Sequence, residues 1–335
     1  MEATVSLELG ERDTRVGPVA RFGLEPVDEV FLYEKTQRLF KYASARDKQS
    51  VFKKELIDIK DQEQRTKLCR KTDERSNSLM HYAAKAGNLE ICKFLCEEGA
   101  DLHALGQSMM TPLQFAARYG DERKGKEVWM CMEWIMEEED NSFITYKEKE
   151  IFFDGRNDLS ILHHAIQNTN WEEDPVVVQE LIKTRKFKVT DPDKQGNTCL
   201  HLAAQFDTQD DHTLLEAFLP SDDERNGYRS QDYIAWKDLE KCIVTENKAG
   251  MTPLHLACSV GNPDSVEQLL KIANNAESIN VSHIINSPNS NGSLPMSLAI
   301  TSRNLKMVDI LMRRGAKVNE DTIITAARCV LLLKC

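Results

Sequence analysis

Six times along the chain one short pattern returns. It reads Ser78-Leu-Met-His81-Tyr-Ala-Ala, Thr111-Pro-Leu-Gln114-Phe-Ala-Ala, Ser160-Ile-Leu-His163-His-Ala-Ile and Thr198-Cys-Leu-His201-Leu-Ala-Ala. Thr252-Pro-Leu-His255-Leu-Ala-Cys follows, then a weaker Leu294-Pro-Met-Ser297-Leu-Ala-Ile. The first two copies lie 33 residues apart, and the later steps are 49, 38, 54 and 42. Self-similarity at such a period builds a stack of units, because one unit cannot bury its own apolar face. A single closed core is thereby excluded.

Each residue type in the pattern has a mechanical task. Ser or Thr caps a helix by accepting a bond from a free backbone N–H, and Pro fits the first helical turn. The Leu and the Ala pair face inward, where small side chains let neighbouring helices approach. A second helical pattern follows the first, as in Gly87-Asn-Leu-Glu-Ile-Cys-Lys-Phe-Leu95 and Asn304-Leu-Lys-Met-Val-Asp-Ile-Leu311. Gly99 and Gly315 suit the left-handed position that ends this second helix. The whole unit resembles the ankyrin repeat, with its 33-residue period and its T-P-L-H-x-A signature. The resemblance implies an all-α ankyrin-repeat solenoid of helix-turn-helix units joined by short β-hairpin connections.

The array of about six repeats spans residues 71–319, with insertions near 137–155 and 221–245 that are expected to form loops on one face. Upstream, residues 29–70 read as a degenerate helical N-terminal cap, because Leu39–Ala45 and Val51–Leu56 have the layout of a helix pair. Residues 1–28 show no periodicity and are expected to be disordered. Residues 320–335 read as an incomplete further repeat, from which either a longer parent protein or the product of a shortened transcript is expected.

The net charge of −11 and a pI near 5.3 weigh against nucleic acid as a partner, which calls for a basic domain or stripe. Nine cysteines, an odd number without a C-x-x-C pair, and an N-terminus without a signal-peptide pattern point to reduced thiols and a cytoplasmic location. The sequons at Asn280 and Asn291 are then chance matches.

Chemical motifs are sparse. Gly120-Asp-Glu-Arg-Lys-Gly125-Lys126-Glu127 approaches a P-loop, but Glu127 stands where Ser or Thr must hold the metal. Asp191-Pro-Asp193-Lys-Gln195-Gly196 opens like a calcium loop, but its twelfth position is Leu202 instead of Glu. The recurrent His81, His163, His201 and His255 sit a repeat apart, so each is expected to bond its own repeat's turn. Cys92 and Cys96, one helical turn apart, read as packing residues. No catalytic residue, cofactor or metal ligand is expected, and the chain reads as a non-enzyme. Trp129, Trp134, Phe143, Tyr146, Phe152 and Phe153 around the first insertion, and Tyr228, Tyr233 and Trp236 in the largest, read as seals against the stack.

Within the family, Lys93-Phe-Leu95, Gly99-Ala100, Leu105 and Met109-Met110-Thr-Pro112-Leu113 resemble the amino-terminal cytosolic array of transient receptor potential channels of the ankyrin (A) type. That resemblance implies part of a cation channel, at the cytosolic face of a membrane protein, and a homo-oligomer; no pore-forming segment is present. The alternative is a stand-alone cytosolic adaptor. In either case protein partners are expected at the concave face and hairpin tips. The candidate partner-binding residues are Arg75, Tyr82, Gln107, Phe115, Asn157, Lys194, Lys248 and Asn289.

Overall fold

A computed structural model describes residues 26–121, 124–141, 159–168, 175–184, 186–206, 214–218, 236–276 and 279–332. All six pattern copies start helices where their chemistry puts them. These inner helices are α4 (Leu79–Lys85), α6 (Pro112–Tyr119), α8 (Ile161–Ile166), α10 (Cys199–Phe206), α12 (Pro253–Val260) and α15 (Pro295–Thr301). Thr111 Oγ1 accepts from the Gln114 N–H and Ser160 Oγ from the His163 N–H, each at 3.3 Å. Pro112, Pro253 and Pro295 occupy the first turn, where the missing N–H costs nothing.

Each inner helix is followed by an outer one: α5 (Leu89–Glu97), α7 (Gly125–Asn141), α9 (Val176–Thr184), a 3-10 helix at Leu214–Phe218, α13 (Pro263–Asn275) and α16 (Leu305–Arg313). Inner helices pack on inner ones and outer on outer. The shared core between the layers takes Leu79, Leu113, Ile161, Leu200 and Leu254 from the pattern and Ile91, Leu95, Leu181, Leu269 and Leu311 from the outer helices. Gly99 (φ +84°) and Gly315 (φ +87°) end α5 and α16 in the left-handed conformation, so the next amide reaches back to Leu95 and Leu311 at 2.8 and 3.0 Å.

Upstream, α1 (Pro26–Ala43) joins the inner layer against α4, and α2 (Gln49–Ile57) joins the outer layer against α5. Helix α1 begins inside the segment 1–28 that was expected to lack structure; residues 1–25 lie outside the described residues. A third helix, α3 (Gln62–Cys69), docks on the end of α5. Arg65 Nε lies 2.9 Å from Glu98 Oε2, Thr66 Oγ1 donates to the Glu98 carbonyl at 3.1 Å, and Arg70 Nε donates to the Gly99 carbonyl at 2.8 Å.

Where they are described, the insertions are mainly helical and not loops. Residues 137–141 complete α7, and 142–158 lie outside the described residues. Of 221–245, the last part folds as α11 (Trp236–Val244), which buries Leu239, Cys242 and Ile243 against α12 and α13. The shorter insertion before the last copy forms α14 (Val281–Asn286), burying Ile284 and Ile285. Apolar residues at helical spacing drive both into the stack. Downstream, α17 (Glu320–Leu332) packs on α15 as an inner helix.

The hairpin connections are turns without strands among the described residues; Thr72 and Ser78 form an isolated antiparallel bridge. Four fingers are each held by one acidic or amide side chain. Asp193 Oδ1 accepts from the Gln195 and Asn197 amides (2.9 and 2.7 Å), Asn247 Oδ1 from those of Ala249 and Met251 (2.9 and 3.0 Å), and Asn289 Oδ1 from those of Asn291 and Ser293 (3.0 and 2.9 Å). Asp73 does the same for Arg75 and Asn77, at 2.9 Å each. Fingers are tied side by side, with the Lys248 amide donating to the Gln195 carbonyl at 2.9 Å and the Ser290 amide to the Ala249 carbonyl at 3.2 Å.

Candidate interaction surface

Because the inner helices bury one side against the outer layer, the residues left over lie at helical spacing on the opposite side. On α4 these are Tyr82 and Lys85, on α6 Arg118 and Tyr119, on α10 Gln205 and Phe206, and on α12 Leu256, Ser259 and Val260. At the N-terminal end of this face four rings make a ladder from α1 to α6. Phe40 meets Tyr82 edge-on at 5.6 Å, Tyr82 meets Phe115 at 6.2 Å, and Phe115 meets Tyr119 at 4.9 Å between centroids. Lys85 Nζ lies 6.0 Å from the Phe115 centroid and 5.9 Å from that of Tyr119, and Arg118 Cζ lies 5.9 Å from Tyr119 on the same helix.

The eight sequence candidates fare differently. Arg75 and Lys248 are exposed at finger tips, and Lys194 and Gln107 are half-buried there. The Gln107 amide donates to Asn77 Oδ1 at 2.9 Å, which sets that tip against its neighbour. Tyr82 is half-buried and donates its hydroxyl to Asp73 Oδ2 at 2.5 Å. Phe115 is a correction. It is only 4% exposed, because His81, Tyr82 and Tyr119 close around its ring, so it supports the face without presenting itself. Asn289 is a second correction: it is buried and spends its carbonyl oxygen on its own turn. Asn157 lies outside the described residues. Lys85 and Arg118 escaped the sequence reading, although each stands three residues after Tyr82 or Phe115 and so on the same helical side.

The histidines serve the architecture in a way that spacing alone did not show. Nδ1 of His81, His163, His201 and His255 accepts from the backbone N–H of its own capping residue at 3.1–3.2 Å. Nε2 crosses to the next unit: His81 reaches the Met110 carbonyl at 3.0 Å, His201 that of Met251 at 2.9 Å, and His255 that of Ser287 at 3.0 Å. These partners call for the neutral ring with its proton on Nε2. Burial lowers all four pKa values. In the second copy Gln114 stands in for His, with Oε1 accepting from the Thr111 amide at 2.9 Å.

Six of the thiols are poor nucleophiles. Burial pushes Cys69 and Cys242 up to about 12 and raises Cys199 and Cys258. Cys92 is raised first by its bond to Cys131 and then by burial, and Cys96 by burial and the nearby Glu138. Alkylation with iodoacetamide at neutral pH should therefore leave Cys69, Cys92, Cys199, Cys242 and Cys258 unmodified until denaturant is added. Peptide mass mapping checks this, and rapid native modification of Cys92 would refute it. Among the described residues no three His, Cys, Asp or Glu side chains converge on a metal-sized site. In the calcium-loop look-alike, Asp193 is committed to its turn amides and to Asn197 Nδ2 at 3.1 Å. The P-loop look-alike runs from the end of α6 into α7, with helices on both sides.

The family profile described as ankyrin repeats matches residues 40–128 and 232–322, in three copies and over more than half of the chain. The chain belongs to the ankyrin-repeat family. Among solved structures, it is similar to the crystal structure of the human ASB11 ankyrin repeat domain. The identity is 17%, the alignment covers 84% of this chain and 99% of that one, and the TM-score is 0.54. No curated protein sequence matches significantly. Among the described residues no helix is long and apolar enough to cross a membrane. The fold alone does not fix a function, which has to be argued from the side chains that it leaves exposed.

Proposed function

We propose that the chain is a non-catalytic, cytoplasmic protein-interaction scaffold that takes its partner on the open face of the inner helices and on the finger tips. The observation that carries this reading is the division of labour among side chains. His and finger Asp or Asn residues are consumed by the architecture, whereas Tyr82, Lys85, Arg118, Tyr119, Leu256 and Lys248 remain available to a partner.

The test uses a partner identified by cross-linking. Arg75→Glu and Lys248→Glu should each weaken its binding by about 1 kcal/mol or less, as rim charges do, and leave the melting temperature nearly unchanged. Asn289→Ala should instead lower the melting temperature, because it leaves two turn amides unpaired at a cost of about 1–3 kcal/mol. Equal loss of stability from all three would sink the assignment of the tips to binding.

A second reading places this array in a channel of the ankyrin (A) type. It is supported by the Lys93–Leu113 resemblance alone, and the adaptor reading accommodates the same observations. Immunoblotting of separated cytosol and membrane fractions with an antibody to residues 221–245 discriminates the two. A band far above 38.2 kDa in membranes supports the channel, and a 38.2 kDa cytosolic band supports the adaptor.

A further inference from the structure

The chain carries 54 Asp and Glu residues against 43 Lys and Arg, but the charges are not spread evenly over its two layers. No Asp or Glu occurs in α4, α6, α8, α10, α12 or α15. Acidic residues stand on the outer helices, among them Glu90 and Glu97 on α5, Asp264 and Glu267 on α13, and Asp309 on α16, and on α1 and α17, which flank the six at the two ends of the inner layer. The charged side chains that these six inner helices do carry, Lys85 and Arg118, flank the Tyr119 ring, each 5.9 Å from its centroid.

Neither cation has a carboxylate partner among the described residues, whereas lysines elsewhere do, as Lys53 with Glu90 and Lys306 with Asp264. The nearby acids are engaged. Asp73 accepts the Tyr82 hydroxyl and holds its finger, and Asp121 Oδ2 lies 3.4 Å from Lys124 Nζ. Arg118 gives an Nη1 hydrogen to the Gln167 carbonyl, which leaves other guanidinium donors free. Ring contact holds a cation in place without neutralising it, so a carboxylate that reaches this spot meets two oriented positive groups in a partly dry setting.

From this we infer that α4 and α6 form the docking site of an acidic, extended segment of a protein partner. Carboxylates of the segment pair with Lys85 and Arg118, and its backbone or apolar side chains lie on Tyr82 and Tyr119. The inference rests on the reading that this face binds protein. It adds the sign of the partner's charge and the place where the segment sits. Two cations on a chain of net charge −11 suit a short acidic peptide and not a polyanion, whose many phosphates would be repelled by the rest of the surface.

The probe is a fluorescein-labelled decapeptide of alternating glutamate and tyrosine, read by anisotropy with the full chain at low salt. Its counterpart of alternating glutamine and tyrosine should bind at least about tenfold more weakly. The double substitution Lys85→Gln with Arg118→Gln should weaken the glutamate peptide at least about tenfold, and Lys306→Gln on the outer layer should not. Should the double variant lose helical circular dichroism, Lys85→Gln alone takes its place, with an expected loss of about threefold. Three results would overturn the inference: equal binding of both peptides, no effect of the folded Lys85 and Arg118 variants, or displacement of the peptide by a single-stranded oligonucleotide as efficiently as by unlabelled peptide. None of them touches the scaffold reading, which stands or falls with the cross-linked partner and the finger-tip variants.

Discussion

Leu254→Asp should collapse the C-terminal half of the array, while Leu256→Asp on the same helix should be nearly silent. The two leucines stand two positions apart in Thr252-Pro-Leu-His255-Leu-Ala. Leu254 is 1% exposed in the core shared by both layers, whereas Leu256 is half-buried on the open side. A carboxylate at 254 loses the buried leucine and places a charge out of reach of water. Together these should cost about 4 kcal/mol or more, a large part of the roughly 5–15 kcal/mol that holds a domain together. In a stack the damage spreads, because each unit is stabilised by its interfaces with the next. Hydrogen exchange should show α10, α12, α13 and α15 losing protection together, with α4 and α6 retained. Leu256→Asp should change the urea midpoint by no more than about 0.5 kcal/mol in equivalent stability. Equal midpoints for the two variants would refute the two-layer assignment of this helix.

The pattern copies made the inner helices legible because their information is local. A cap, a proline and an inward Leu act within one turn, and in all six cases the helix begins directly after the Ser, Thr or Leu that opens the motif. The open face was legible only in part. Phe115 looks free in its own repeat, and its burial is set by His81 and Tyr82 more than thirty residues earlier in the chain. Asn289 looks like any exposed polar tip until the turn geometry brings two amides onto its oxygen. Lys85 and Arg118 carry no motif at all. They stand out only when Tyr119, on one helix, is seen between cations from two. Helices α11 and α14 were hidden for a further reason: an insertion is defined by a broken period, and a broken period says nothing of what fills the gap.

Lowering the pH should destabilise the array through His81, His163, His201 and His255, and replacing them by Gln should remove that dependence. Each ring is neutral in the fold, with Nδ1 accepting from a backbone N–H. A proton on Nδ1 would face that donor head-on, and burial adds its own penalty, so the folded pKa lies below the ordinary 6.5. The unfolded chain then binds more protons than the folded one, and stability falls as pH drops through the unfolded value. The contribution is fully present above about 6.5 and is lost progressively below it, until the folded value is reached. In that window each histidine adds a slope of up to about 1.4 kcal/mol per pH unit. Carboxylates also titrate in acid, so the informative quantity is the difference between the chain and its fourfold His→Gln variant. Gln114 supplies the precedent, holding the same cap with an oxygen that has no proton to gain near neutrality. At pH values above 7 the variant should lose no more than about 1 kcal/mol per site, through imperfect reach of the shorter amide to the next unit's carbonyl. Between neutral and mildly acid pH its urea midpoint should fall much less than that of the parent chain. Parallel curves would mean that the rings take up protons as readily in the fold as in the unfolded chain, and the bonds from Nδ1 that join each histidine to its own cap would have to be redrawn.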